Sequence, residues 1–179
     1  MPELILPSAH VHASFLNAMD EFVAEGRGAP DDHSMIGHDL RQYGGRWTDA
    51  VVFGDYVASL RDQARQDAPR ASGMVASTTL WWVSGPEYLG RLAIRHQLTP
   101  RLLDFGGHIG YDVRPSARRR GHATAMLAEA RPVAAQLGIN PALVTCDDDN
   151  TGSRKVIEAN GGVFEDQRGE KLRYWVPTS

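Results

Sequence analysis

The sequence predicts a single α+β domain over residues 1–179, in which helices flank a mixed, mostly antiparallel sheet of seven strands. The length is enough for one hydrophobic core and too short for two separate domains. Hydrophobic periodicity gives the order strand, two helices, three strands, helix, strand, helix, two strands. A long helix between two strands implies one parallel pair, whereas the short turns between other strands imply antiparallel hairpins.

The N-terminal part of the chain predicts one strand and two helices. Residues 3–6 are a short apolar strand, and a helix follows because apolar residues recur every three to four positions from Val11 until Gly26. A second helix covers residues 50–65. Residues 26–48 between the helices are polar and rich in glycine, which predicts a binding loop rather than a packed connection.

The remainder of the chain predicts six strands and two helices. Residues 78–84 and 88–95 are rich in β-branched and aromatic residues and form a hairpin, and residues 108–113 form the next strand. A helix follows over about 117–137, and Pro132 should kink or split it. The next elements are a strand over 142–146 that is buried on both faces, a helix over 151–160 and a final hairpin with a turn at Arg168-Gly169.

Composition and charge favour a soluble cytoplasmic protein that binds neither nucleic acid nor membranes. The formal net charge of −3 gives no support to nucleic-acid binding. A single cysteine, Cys146, allows no internal disulfide and fits a reducing compartment. We expect neither a signal peptide nor a membrane span, because the chain has no basic start before an apolar stretch and no long apolar run. The seven histidines are scattered without metal-ligand spacing, so no metal site is expected.

Residues 113–127, VRPSARRRGHATAML, place the densest positive charge of the chain at the start of the predicted long helix. A helix N-terminus has about four backbone N–H groups without intrahelical partners and carries partial positive charge, so it can bind an anion. Gly121 would let the anion approach the backbone, and the arginines would add charge and donors. A pyrophosphate suits this turn, although a solvated basic turn at a surface helix is the simpler alternative. The chain has neither the lysine-containing phosphate loop of ATPases nor a glycine-rich dinucleotide motif.

The pattern R-x-x-G-x-A, formed by Arg118, Gly121 and Ala123 between a strand and a long helix, resembles motif A of the GNAT superfamily of acyl-CoA-dependent N-acetyltransferases. The stretch ALVTCDDDNTGSRKVIEANGG is similar to the next strand and helix of that family, with Asn150 at the position that contacts pantetheine. The predicted element order also resembles the whole GNAT fold. The resemblance implies a GNAT-like sheet whose parallel strand pair splays apart to admit the thioester of acetyl-CoA.

The resemblance also implies which residues bind acetyl-CoA. Backbone N–H groups around residues 119–124 would hold the pyrophosphate, and the backbone near Val113 would pair with the pantetheine arm and polarise the thioester carbonyl. Asn150 would hydrogen-bond the arm, with Ser153 beside it, and His122 is interpreted as a ligand contact. The full predicted set is Val113, Arg114, Arg118, Arg119, Arg120, Gly121, His122, Ala123, Thr124, Asn150 and Ser153.

The general acid is not fixed by the sequence. The family often has a tyrosine seven residues after the asparagine, whereas this chain has Ile157 there. Tyr111, Tyr174 or solvent could replace it, although a core or sheet role is the simpler interpretation of either tyrosine. Cys146 lies in an apolar strand and is interpreted as packing rather than as a nucleophile.

Two histidines near strand ends, together with Asp104 before the strand 108–113, are the candidates for the general base. His108 starts the predicted strand 108–113 and His96 ends the strand before it, and either could deprotonate an ammonium directly or through water. The alternative for each is an ordinary polar strand end. The acidic residues 147–149 would either attract a cationic amine or cap the next helix.

These observations predict an N-acetyltransferase that moves an acetyl group from acetyl-CoA directly to a primary amine of a small molecule or peptide, in a ternary complex. The first alternative is a sensor or regulatory module that binds acyl-CoA without catalysis, which the missing tyrosine would suit. The second is a structural domain with an incidental basic turn. The sequence identifies neither the acceptor nor the acyl-chain preference, and it leaves a homodimer open.

Overall fold

Seven strands form one continuous sheet in the computed structural model, which describes all 179 residues. Their order across the sheet is β1-β2-β3-β4-β5-β7-β6. The strands are β1 Glu3–Ile5, β2 Ser77–Ser84, β3 Glu87–Arg95, β4 Ile109–Val113, β5 Ala142–Asp147, β6 Val163–Arg168 and β7 Lys171–Val176. Every neighbouring pair is antiparallel except β4 and β5. The structure confirms the predicted mixed sheet of seven strands with a single parallel pair.

Six helices cover the two faces of this sheet, and none of them is long and apolar enough to cross a membrane. They are α1 His12–Ala24, α2 Met35–Tyr43, α3 Ala50–Asp62, α4 Pro100–Asp104, α5 His122–Gln136 and α6 Thr151–Ala159. Helices α1, α2 and α3 pack on one face with Trp81, and helices α5 and α6 pack on the other with Trp82. Adjacent strand residues point to opposite faces, so these two indoles supply one core each. We refer to the two sides as the α1 face and the α5 face.

The segment 26–48 is not the loop that the sequence predicts, because it contains α2 and a 3-10 turn. Ser34 caps α2, since its side-chain oxygen accepts from a backbone N–H of the first helical turn at 3.0 Å. Asp39 of α2 forms an ion pair of 2.7 Å with the buried Arg91 of β3, which fixes the helix on the sheet. The sequence also gave no indication of α4, a helix of only five residues.

The long helix α5 starts at His122 rather than near residue 117, because residues 118–121 form a turn. Pro132 does not split α5, which continues through this position without a break. Proline cannot donate to the carbonyl of Ala128 four residues earlier. Both residues are exposed, so water can occupy that carbonyl and the helix persists.

The parallel strands β4 and β5 pair at one position only, between Ile109 and Val144. Just before it, the N–H of His108 donates to the carbonyl of Leu143 at 2.7 Å. No further pair joins the two strands toward their C-terminal ends. They therefore leave an opening in the middle of the sheet, the β4–β5 gap, as the predicted splayed pair requires.

Candidate active site

The edges of the β4–β5 gap present backbone groups that no strand pairs. Hydrogen bonds from the Arg114 N–H to β3 and from β3 to the His108 carbonyl fix the register of the β3–β4 ladder. In this register the alternate residues Tyr111 and Val113 direct their backbone groups toward the gap. On the opposite edge, the register of β5 with β7 directs the backbone of Thr145 toward β4, where its carbonyl faces the same gap. An extended ligand could pair with these groups in the manner of an added strand.

The turn 118–121 between β4 and α5 presents a row of free donors. None of the backbone N–H groups of residues 119–124 donates to an acceptor within the chain, and the first helical bond runs from Ala125 to the Gly121 carbonyl at 3.1 Å. Arg119 and Gly121 have φ angles of 62° and 81°, in the left-handed region that creates anion-binding concavities. No heavy atom lies within 4 Å of where a Cβ on Gly121 would stand, so the space before the turn is open. These residues fit a diphosphate.

Two predicted cofactor arginines are held by α1. The buried Arg114 donates to Glu21 at 2.7 Å. Arg118 donates to both carboxylate oxygens of Glu25 at 2.7 and 2.9 Å, and its Nε donates to the carbonyl of Val113 at 3.0 Å. Their guanidinium groups position the loop after β4, so the structure does not bring them to the turn as free donors.

The side chains of Arg119 and Arg120 are exposed and form no ion pair. His122 begins α5, and its Nδ1 accepts from the indole N–H of Trp82 at 3.0 Å. Because indole nitrogen only donates, the proton of a neutral His122 ring lies on Nε2. The turn thus has two free cationic side chains and one imidazole donor beside its backbone amides.

A family model described as an acetyltransferase (GNAT) domain matches residues 36–163. The chain belongs to the GNAT acetyltransferase family. No match was found among curated protein sequences.

Solved GNAT structures share the fold over nearly the whole chain. RimJ of Mycobacterium smegmatis in complex with CoA-disulfide superposes with a TM-score of 0.68 at 18% identity, over 98% of this chain and 81% of that one. The microcin C7 self-immunity acetyltransferase MccE, in complex with acetyl-CoA and AMP, superposes with a TM-score of 0.65 at 12% identity, over 98% of this chain and 92% of that one. RimL, a ribosomal L7/L12 alpha-N-protein acetyltransferase in complex with CoA, superposes with a TM-score of 0.63 at 15% identity, over 97% of this chain and 92% of that one.

In this GNAT domain, Asn150 caps α6 with its side-chain oxygen, which accepts from the N–H of Ser153 at 3.0 Å. The amide nitrogen of Asn150 has no partner within the chain and can donate to a ligand. The hydroxyls of Ser153 and Tyr111 are 2.7 Å apart and join α6 to β4. Ser153 and Ile157 are four residues apart and share a helix face. Tyr111 thus brings a phenol to the face of α6 where the family often has its tyrosine.

The environments of the two candidate tyrosines differ. Burial raises the pKa of Tyr111 to about 12, although its hydrogen bond with Ser153 opposes the rise. Tyr174 of β7 is buried in the core of the α5 face, with its hydroxyl 3.4 Å from Glu158. Only Tyr111 lies on a strand that borders the gap. Ile157 is fully buried and contributes packing alone.

The two candidate histidines lie at the end of the sheet where β4 and β5 still pair. The Nδ1 of His108 accepts from the N–H of Leu143 at 2.9 Å, so its basic nitrogen is occupied. The Nε2 of His96 is 2.8 Å from the hydroxyl of Thr78. Burial lowers the pKa of both imidazoles, and a nearby arginine lowers each further. His108 links two strands in this arrangement, and a catalytic role for either histidine stays a prediction.

Two of the three acidic residues at the end of β5 have partners of their own. Asp147 forms an ion pair of 2.6 Å with Lys171, and Asp148 accepts from Gln167 at 2.9 Å. Burial, and then the charge of Asp147, raises the pKa of the Cys146 thiol, which is enclosed in the core. No group of three or more His, Cys, Asp or Glu side chains lies close enough together to hold a metal ion.

Several residues that support the site were not predicted from the sequence. Trp82 lies on β2, which β3 separates from β4, and its indole N–H positions the His122 ring. The buried Asn160 donates to the carbonyls of Thr124 and Val156, and so joins the first turns of α5 to the end of α6. These contacts join residues far apart in the chain, so no local pattern indicates them.

Proposed function

We propose that this chain transfers an acetyl group from acetyl-CoA to a primary amine of a small molecule or peptide, by direct transfer within a ternary complex. The observation that carries the proposal is the row of N–H groups over residues 119–124, none of which has a partner within the chain. The row lies directly after a strand that borders an open gap in the sheet. Acetyl-CoA would supply the activated acyl group there.

The residues around the turn and the gap would hold the cofactor. The turn amides would bind the diphosphate, with the side chains of Arg119, Arg120 and His122 as additional donors. The unpaired backbone of Tyr111 and Val113 would pair with the pantetheine arm, and the free amide of Asn150 would donate to it from the other side of the gap. Because Arg118 already occupies the carbonyl of Val113, the N–H of that residue is the group left for the thioester oxygen.

The chemistry would rely on preorganised donors rather than on a covalent intermediate. A backbone N–H aimed at the developing oxyanion is typically worth about 3–4 kcal/mol. The hydroxyl of Tyr111 would donate a proton to the leaving sulfur, since its raised pKa keeps it protonated at neutral pH. The ammonium proton would pass to solvent. Cys146 is enclosed and its raised pKa disfavours a thiolate, which supports direct transfer.

The acceptor would reach the thioester from the α1 face, because α5 and α6 cover the gap on the other side. One similar solved structure is that of an acetyl transferase from Salmonella typhimurium, which modifies the N-terminal serine of ribosomal protein L7/L12. A peptide that begins with serine therefore belongs in the panel of acceptors, together with small primary amines.

The alternative is an acyl-CoA sensor without catalysis. The observation that favours it is Ile157, a buried core residue at the position where the family often has its tyrosine. A sensor would use the same turn and gap to bind the cofactor.

The deciding experiment incubates the protein with acetyl-CoA and the amine panel and measures free thiol over time. We expect thiol release that depends on both the protein and an amine, together with saturable binding of CoA by calorimetry. Binding without turnover on any amine would favour the sensor. Absence of both heat and thermal shift with CoA would overturn either function.

A further inference from the structure

Arg95 is the last residue of β3 and lies on the α1 face, from which the acceptor would approach. It shares this face with Arg91, since the two are four positions apart on one strand. Arg91 is neutralised by Asp39 at 2.7 Å. Arg95 has no carboxylate partner; its Nη1 donates only to the carbonyls of Gly106 and Gly107, at 3.0 and 3.2 Å.

This unpaired guanidinium is half-buried yet remains reachable. Burial lowers the pKa of Arg95, and the positive charge of Arg91 lowers it further. Desolvated charges in proteins are normally paired, so the site has an uncompensated positive charge. The Nε and Nη2 of Arg95 have no partner within the chain and, unlike the Nε of Arg91 and of Arg114, are not sealed from solvent.

The guanidinium of Arg95 lies close to the backbone of β4 because that strand has a glycine there. A Cβ on Gly110 would stand 3.8 Å from both terminal nitrogens of Arg95 and 3.5 Å from the methyl group of Met35. Gly110 directly precedes Tyr111. The flexible side chain of Met35, the first residue of α2, borders the same place.

We propose that Arg95 binds an anionic group of the acceptor, a carboxylate or a phosphate carried a few atoms from the amine. This inference rests on the proposed function, and it deepens it by naming the class of amine. The two open nitrogens of Arg95 would form a charge-assisted pair with the anion, while the amine enters the gap from the α1 face.

The test compares acceptors in matched pairs that differ in the anion alone. The pairs are β-alanine and β-alaninamide, O-phosphoethanolamine and ethanolamine, and the amidated dipeptides Ser-Asp and Ser-Asn. KM and kcat are measured for the wild type, Arg95→Gln, Arg95→Lys and Arg101→Gln. Arg101 is the matched control, because it is an exposed arginine of α4 without an ion pair.

We expect the wild type to favour the anionic member of at least one pair. Arg95→Gln should raise the KM for that acceptor about 10- to 100-fold while the KM of its neutral partner changes less than about twofold. Arg95→Lys should restore part of the preference, and Arg101→Gln should match the wild type. Which pair responds distinguishes carboxylate from phosphate. An equal effect of Arg95→Gln on both members of every pair would show a purely structural role and overturn the inference.

Calorimetric binding of the same pairs to the CoA-bound protein gives a readout that needs no turnover. If no amine is acetylated, the proposed function fails, yet a preference for anionic acceptors that Arg95→Gln removes would still support the anion site. The opposite case is that acetylation occurs while Arg95→Gln changes neither the affinity nor the KM for the anionic acceptors more than for their neutral partners. In that case the inference fails and the proposed function stands.

Discussion

The hydroxyl of Tyr111 combines two properties that suit a proton donor. It is fixed at 2.7 Å from Ser153, and its pKa of about 12 keeps it protonated over the pH range in which an amine loses its proton. We expect Tyr111→Phe to lower kcat about 100-fold with a small change in CoA affinity. The loss in folding stability should be about 1 kcal/mol, the value of one hydrogen bond.

The pH dependence of kcat separates this acid from an ordinary packing role. A group with a pKa of about 12 stays protonated well below that value. In the wild type, kcat should therefore rise as the amine loses its proton, and it should not fall through deprotonation of Tyr111 up to pH 10. A fall in kcat centred near pH 8, or Tyr111→Phe with unchanged kcat, would contradict the assignment.

Gly121 allows a direct test of the anion-binding turn. Its φ of 81° disfavours alanine, and a Cβ there would stand in the open space before the free amides. Gly121→Ala should therefore cost about 1 kcal/mol of folding stability and weaken CoA binding at least tenfold. Gly138→Ala is the matched control, because Gly138 has the same φ of 81° and equally open surroundings but lies beyond the far end of α5. Calorimetry should show the loss of CoA affinity in the first variant alone, with similar melting temperatures for both.

At the scale of elements, α1 holds the loop that follows β4. Glu21 accepts from Arg114 and from the backbone and hydroxyl of Ser116, and one helical turn later Glu25 binds Arg118 with both oxygens. The turn 118–121 is thus held in place by a helix more than ninety residues away in sequence.

We expect Glu25→Gln to weaken CoA binding about fivefold, because a neutral amide cannot hold the Arg118 guanidinium in one orientation. Titration calorimetry measures the change. Asp62→Asn serves as the control, since it removes an exposed ion pair with Arg65 on α3 and should leave CoA affinity unchanged. Equal affinities in the wild type and Glu25→Gln would show that α1 does not position the turn.

The elements that sequence patterns predict well are those with long, regular periodicity. The seven strands and the helices α1, α3, α5 and α6 follow from hydrophobic spacing in the chain. Helix α2 was not predicted because its apolar spacing is weak, and it is held on the sheet by the ion pair of Asp39 with a strand residue about fifty positions away. The start of α5 was misplaced because Arg119 adopts a left-handed conformation that nothing in the local sequence requires.

The site shows the same division between local and distant causes. The row of free amides and the capping role of Asn150 follow from motifs that are contiguous in sequence. The orientations of the Arg114 and Arg118 side chains do not follow from such motifs, because they depend on the carboxylates of Glu21 and Glu25. Sequence reasoning therefore predicted the row of free amides, whereas the ion pairs that orient these two guanidinium groups could not be read from the local sequence.

For the whole molecule, carboxylates around α1 predict acid sensitivity. Partial burial alone would raise the pKa of Asp32, but hydrogen bonds from Ser34 and Gly28 and the charge of Arg27 hold it at about 2. The pKa of Glu21 is also lowered, since its bonds with Arg114 and Ser116 outweigh partial burial.

A carboxyl group with a lowered folded pKa stabilises the fold above its unfolded pKa and loses this contribution as pH falls through the folded value. The urea midpoint should therefore be constant above about pH 5 and decline between about pH 4.5 and 2. Asp32→Asn should have a lower midpoint at pH 7 and a shallower decline on acidification. A wild-type midpoint that is equal at pH 7 and pH 3 would contradict this account.

The single parallel pair between β4 and β5 has a mechanical consequence. Strands β1–β4 and β5–β7 each form an antiparallel ladder with one register shift, and the two halves meet at Ile109 and Val144, with His108 and Leu143 alongside. Backbone hydrogen bonds join the two halves at one end of the opening only, whereas the Tyr111–Ser153 bond ties β4 to α6 farther along. We expect the width of the central cleft to depend on such side-chain contacts as much as on the backbone junction.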